Sequence, residues 1–280
     1  MAIKDVLVHV DGGNAAPARL AAAIDLAQRH GAHLTGLCLA VEPRMPSTIL
    51  GMIPPDLMTE RRNAVLGQAE TAVAQFRVAV EAAGLPGEGR IVQVLDIDAA
   101  ETFIQHARHA DLAILSQPDP QEQPVLGSQF ATSILIGNGR PTLLIPYIGP
   151  AATLGQRVLV AWDGGREATR ALHDALPLLT RARSVTVLSV NPDVSSNGGR
   201  REPGADISLH LARHGVSVTA DRTVTGEVSA GDAILADIAD NGIDLLVMGA
   251  YGHSRLREFV LGGVTRYMLE HMTVPVLMSH

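Results

Sequence analysis

Asp5-Val-Leu-Val-His-Val-Asp-Gly-Gly13 and Gln156-Arg-Val-Leu-Val-Ala-Trp-Asp-Gly-Gly165 decide the fold of this chain. Each is a short apolar run that stops at Asp-Gly-Gly and leads into an Ala/Leu-rich stretch. Leu20, Ile24 and Ala27 recur at spacings of three and four after the first run, as do Leu172, Ala175, Leu176 and Leu179 after the second. Such spacing marks amphipathic helices over about 15–30 and 167–180. A buried strand feeding a helix thus occurs twice, and internal repetition governs the rest of the reading.

Working outward, each half continues in the same order. Second strands are expected at Leu34–Val41 and Val185–Val190. The helix that follows is long in the first half, about 60–83, and short in the second, about 205–214. Third strands fall at Arg90–Leu95 and Ser217–Val224, and third helices at Ala99–His109 and Ala230–Asn241. Asp111-Leu-Ala-Ile-Leu and Asp244-Leu-Leu-Val-Met read as short buried strands. Each half closes with a helix and a Pro-led strand, Pro141-Thr-Leu-Leu-Ile and Pro275-Val-Leu-Met. Strands alternating with helices imply right-handed crossovers and parallel sheets. The expectation is an α/β chain of two tandem, doubly wound, Rossmann-like five-stranded sheets of order 3-2-1-4-5. Its domains are 1–148 and 156–280, joined by the Gly- and Pro-bearing linker 149–155.

Composition supports this class. The 280 residues are 46% hydrophobic and 18% charged, with only 3% aromatic, which suits buried parallel strands under Ala-rich helices. A net charge of −7 argues against nucleic acid or an anionic membrane surface as partner. No apolar run approaches the roughly 20 residues of a membrane helix, and the N-terminus lacks a signal-peptide pattern. Cys38 is the single cysteine and sits in an apolar strand, so it reads as a buried, inert thiol. A cytoplasmic protein without membrane insertion is the expectation.

In doubly wound sheets, ligands bind at the carboxyl ends of the strands where strand order reverses, here between the first and fourth strands. In the second half those ends carry Asp163-Gly-Gly and Met248-Gly249-Ala-Tyr-Gly252, with Gly262-Gly263-Val264-Thr265 opening the next helix. Glycines let backbone approach a ligand, and a helix N-terminus offers free amides to an anion. The segment therefore reads as a phosphate cradle, with Asp163 placed to accept hydrogen bonds from a ribose or base. His253 and Arg255 fall inside the loop, as phosphate contacts or as solvated residues. The first half has Ser116-Gln-Pro-Asp-Pro-Gln-Glu-Gln-Pro-Val-Leu-Gly-Ser128 instead, where Asp119 and Glu122 would repel phosphate. That half reads as scaffold or as the holder of a different ligand.

These features resemble the universal stress protein superfamily in its tandem-domain form, over nearly the whole chain. The family's ATP-site pattern, G-x2-G-x9-G-(S/T), reads here Gly249-Ala-Tyr-Gly252, nine residues, then Gly262-Gly263. Gly263 departs from the pattern: the backbone N–H stays and the hydroxyl is lost, with Thr265 two residues on as its substitute. The resemblance implies a stress-response regulatory protein that binds ATP, with Mg2+ as its companion cation. It places Ala161 and Asp163 by the adenosine, Val190 at the base pocket, and Met248 and Gly249 beside the ribose and phosphates. Gly252, Gly262, Gly263 and Val264 would hold the phosphates. It also implies a homodimer, and pairing of Pro141–Ile145 with Val274–Met278.

Other chemistry is weaker. His106/His109 and His210/His214 share helix faces, yet no further ligands are evident, so no metal site is assigned. Walker A and G-x-G-x-x-G patterns are missing after the first strand and no general base is evident, so no catalytic residue is named. Pro43–Asp56 is Pro-rich and apolar. It supports an alternative, a nucleotide-free module for a partner or a small apolar ligand.

Overall fold

The computed structural model describes residues 2–42, 54–121, 126, 129–148, 153–192, 204–252 and 263–280. Most of Pro43–Asp56, together with Glu122 and Arg255, lies outside them. By internal contacts the chain separates into two units, Ile3–Arg140 and Pro141–His280.

In the first unit β1 (Asp5–His9) leads into α1 (Ala16–His30), β2 (His33–Glu42), α2 (Pro55–Ala82) and β3 (Gly87–Leu95). Then follow α3 (Ala99–Ala107), β4 (Leu112–Ser116) and α4 (Phe130–Gly137). All pairings are parallel, in the order β3-β2-β1-β4. Val6, Leu7 and Val8 are consecutively buried, as strands covered on both faces must be. The outer strand β3 is mostly exposed and carries Glu88 and Arg90, charges that protect an edge from pairing elsewhere. α2 rides close to the sheet because Gly36 makes room for it: a Cβ there would lie 2.8 Å from the Phe76 ring. Its N-terminal turns, with Leu57 and Met58, are exposed.

The second unit begins with β5 (Thr142–Ile145), then β6 (Arg157–Ala161), α5 (Arg166–Leu179), β7 (Ser184–Val190) and α6 (Ala205–Arg213). β8 (Val218–Thr223), α7 (Ala230–Asn241), β9 (Leu245–Gly249), α8 (Gly263–His271) and β10 (Val276–Ser279) complete it. Strands β10-β9-β6-β7-β8 pair in parallel, which is the order expected for a complete module read from its last strand. The two Pro-led strands meet: β10 pairs antiparallel with β5, Leu277 opposite Leu143, so neither flank of β10 is an open edge.

One device recurs in both units. The acid that precedes the fourth strand reaches back to the start of the first. Asp111 Oδ2 accepts the amides of Lys4 and Asp5 at 2.8 and 3.2 Å. Asp244 accepts those of Gln156 and Arg157 at 3.1 and 2.9 Å, and the Thr153 hydroxyl at 2.6 Å. Each carboxylate satisfies amides that precede the sheet ladder and sets the register between the two strands. Asp244 is buried, and Asp111 is more exposed. Asp244→Ala is therefore expected to lower stability by about 2–3 kcal/mol, the worth of hydrogen bonds to a charged group. Asp111→Ala should cost less. Denaturant titration of the two variants checks the order.

Candidate functional site

The crevice of the second unit is built at the carboxyl ends of β6 and β9. Past Ala161, the Trp162 amide donates to Leu188 at 2.8 Å, extending the ladder by one residue. The chain then turns, because Asp163 Oδ1 accepts the Gly165 amide at 2.7 Å and Gly164 takes φ +74°. This turn aims α5. Opposite it, β9 runs out at Gly249 against the first turn of α5. A Cβ at Gly249 would lie 2.6 Å from the Ala168 amide nitrogen, so the close approach of two backbones demands glycine there whether or not a ligand is bound.

The segment after β9 is held from below. Ala250 is fully buried and its amide donates to Ser279 at 2.8 Å. Tyr251 takes φ +53°, and its amide donates to Thr265 Oγ1 at 3.0 Å. The buried Thr265 hydroxyl is thus engaged with the loop backbone, tying the glycine segment to α8. Gly252 follows, half-buried, where a Cβ would lie 3.3 Å from Glu167 Oε2 and 4.0 Å from Asp163 Oδ2. Gly263 is the exposed first residue of α8, with open space where a side chain would project. Val264 is half-buried beside it.

The structure thus gathers Asp163, Gly249 and Gly252 around the first turn of α5, and links Thr265 to them through Tyr251. Met248 is packed within the sheet opposite Met278, and Val190 ends β7 two strands from β9. His253 and Gly262 lie outside the described residues. Sequence reasoning missed Glu167. It is buried in the crevice, with Oε1 paired to Arg166 at 2.8 Å. The signal was its place in the first helical turn, where the helix dipole favours an acid.

The first unit carries the same turn with different company. Asp11 Oδ1 accepts the Gly13 amide at 2.9 Å, as Asp163 does with Gly165. Here, however, His9 Nδ1 lies 3.0 Å from Asp11 Oδ2 and Arg19 lies 3.1 Å from Oδ1. Arg19 also donates to Ser116 Oγ at 2.8 Å and is 3% exposed. Burial lowers the proton affinity of His9 against the pull of Asp11. Burial works against the charge on Asp11, yet the His9 hydrogen bond and the Arg19 charge together hold its carboxyl well below the usual range. Burial, with the charge of Asp11, pushes the Cys38 thiol up to about 11, so it stays protonated near neutrality. Above this network opens a cavity of about 1260 Å3.

Residues 155–280 match the model of the universal stress protein family. This part of the chain is similar to a universal stress protein domain. Universal stress protein Slr1230 from Synechocystis sp. is 50% identical over 48 residues, a stretch that covers 17% of this chain and 17% of that protein. A universal stress protein from Archaeoglobus fulgidus DSM 4304 superposes over 98% of this chain and 97% of its own, with TM-score 0.75 and 17% identity. A functionally unknown protein from Pseudomonas aeruginosa PAO1 covers 99% of this chain and 92% of its own, with TM-score 0.59 and 18% identity. At such identities these two likenesses speak for the fold. They show that both halves share their fold with these proteins.

The histidine pairs are placed without a common focus. The rings of His210 and His214 are 4.7 Å apart, and that of His173 is 5.1 Å from His210. Among the described residues no group of three or more His, Cys, Asp or Glu is set to hold a metal ion. No described helix is long and apolar enough to cross a membrane.

His9 makes the stability of the first unit pH-dependent. Its folded pKa lies below the ordinary 6.5, so in acid the unfolded chain takes up a proton that the folded chain refuses. Stability is full above about pH 6.5 and falls below it, by at most about 1.4 kcal/mol per pH unit. Asp11 loses its own contribution only below about pH 4, where the unfolded carboxyl titrates. His9→Gln should flatten the dependence between about pH 6.5 and 5, read from urea titrations of both proteins across that window.

Proposed function

We propose that the second unit binds ATP as its magnesium complex, and that the chain acts as a nucleotide-responsive member of the stress-response family to which that unit is similar. The observation that carries this reading is the convergence of the Asp163 turn with Gly252 at the mouth of the β6/β9 crevice, next to an α8 whose first residue has open space beside it. A nucleotide's adenosine would lie along Ala161, Asp163 and Val190. Its phosphates would lie over Gly249, Gly252 and the start of α8, where the dipole of a helix N-terminus favours an anion. Asp163 and Glu167 bring negative charge to the same mouth, which favours a metal-complexed triphosphate over a bare one.

Purified protein should carry adenine nucleotide detectable by mass spectrometry, and calorimetry should give one Mg-ATP site per chain. An absence of binding at millimolar Mg-ATP would overturn the reading. Gly252→Asp adds a third carboxylate beside Asp163 and Glu167 and should abolish binding while the variant still unfolds in one cooperative transition. Gly263→Ser restores the hydroxyl of the family pattern at a site with room for it. It should tighten binding about two- to tenfold, the worth of one added hydrogen bond.

A further inference from the structure

A cavity of about 1260 Å3 lies in the first unit. Its floor is the carboxyl end of β1 and β4, with Asp11, Gly12, Gly13 and Ser116. Its side is α2, whose residues from Arg61 to Gln75 line it, a run of about 21 Å at 1.5 Å per residue. Ala64, Gly67, Ala69 and Ala72 on that run are small, and space is left between the helix and the strand ends. Leu39, Val41, Val65, Leu115 and Phe130 give it apolar walls. In the second unit the matching helix α6 has nine residues against 28 in α2, so it offers a much shorter wall.

The charges say what such a ligand cannot be. A phosphate or carboxylate would find no net positive charge, because Asp11 offsets Arg19 and Asp119 stands on the lining against Arg61. Arg19 lies 3.1 Å from Asp11 and donates to Ser116, while its Nε and Nη2 make no hydrogen bond. A cation would gain little, because Arg19 cancels the charge on Asp11 and Arg61 stands on the α2 side. What remains is hydrogen bonding. Ser116 Oγ accepts from Arg19 and keeps its own proton to donate. The cavity also exceeds the roughly 300–1000 Å3 of pockets for compact ligands.

We infer that the first-unit cavity is a second ligand site, which takes an uncharged, elongated, apolar molecule with a carbonyl or hydroxyl at one end. The polar end sits by Ser116 and the Gly12–Gly13 backbone, and the apolar body lies along α2. This inference does not depend on nucleotide binding in the second unit.

Nile red, an uncharged elongated fluorophore with one carbonyl, is the probe. The full chain should bind it saturably, one per chain, with blue-shifted emission. Ala64→Trp and Gln68→Trp place bulk in the cavity from exposed positions of α2, where folding does not depend on the side chain. Each should weaken binding about tenfold or more with the unfolding midpoint unchanged. Saturating Mg-ATP and Gly252→Asp should leave the dye's affinity as it was, which separates this site from the nucleotide crevice. The inference is overturned by an absence of saturable binding, by undiminished binding in both Trp variants, or by displacement with ATP. Equal or tighter binding of the anionic dye 1-anilinonaphthalene-8-sulfonate would overturn the uncharged assignment.

Discussion

In each unit the first strand is held by a carboxylate at both ends, and the remaining geometry follows from that. At the entry, Asp111 or Asp244 accepts backbone amides of the first strand and locks it to the fourth. At the exit, Asp11 or Asp163 accepts the amide two residues on and turns the chain into its helix. The first strand then cannot slip relative to the fourth, and a one-residue slip would reverse every side chain. The crevice between the two strands inherits this fixed frame. Its walls are made of strand ends and helix starts.

The two crevices share that frame and diverge in electrostatics. Asp163 is exposed and accepts the amide of its own turn, so its carboxylate faces the space a ligand enters. Asp11 is held by His9 and Arg19, and Arg19 in turn holds Ser116. Removing a guanidinium and a carboxylate from water is costly, and only close pairing offsets it. The first unit pairs Asp11 with His9 and Arg19, so the floor of its cavity sets opposite charges side by side and carries little net charge. One fold thus supports two kinds of site, because fold and site chemistry are set by different residues.

The glycine segment of the second unit shows how structural and ligand roles overlap. Gly249 is required by the approach of β9 to Glu167 and Ala168. Thr265 ties Tyr251 in a left-handed conformation that non-glycine residues rarely adopt. These two positions would be constrained in an empty protein, whereas at Gly252 a side chain would meet only the tip of Glu167, at 3.3 Å, and at Gly263 it would project into open space. The positions that report on a nucleotide are therefore the second pair.

Periodicity and the doubled Asp-Gly-Gly were enough to determine the α/β class, the repeat and nearly every element, because a parallel sheet demands continuous apolar runs between amphipathic helices. The helix Ala230–Asn241 was legible to the residue because Ser229 caps it and Gly242 ends it. The start of α2 was not: it begins five residues earlier than Glu60, at Pro55, in exposed turns where no buried face imposes a pattern. The sequence also carried Asp163 and the glycine spacing. Only the tertiary structure decided that Arg19 neutralises Asp11, that Glu167 enters the second crevice, and that Thr265 serves Tyr251. Each of these depends on residues far apart in the chain meeting at strand ends, and local patterns hold no record of such meetings. The cavity along α2 is of the same kind, since it is a space between elements whose separation no single segment encodes.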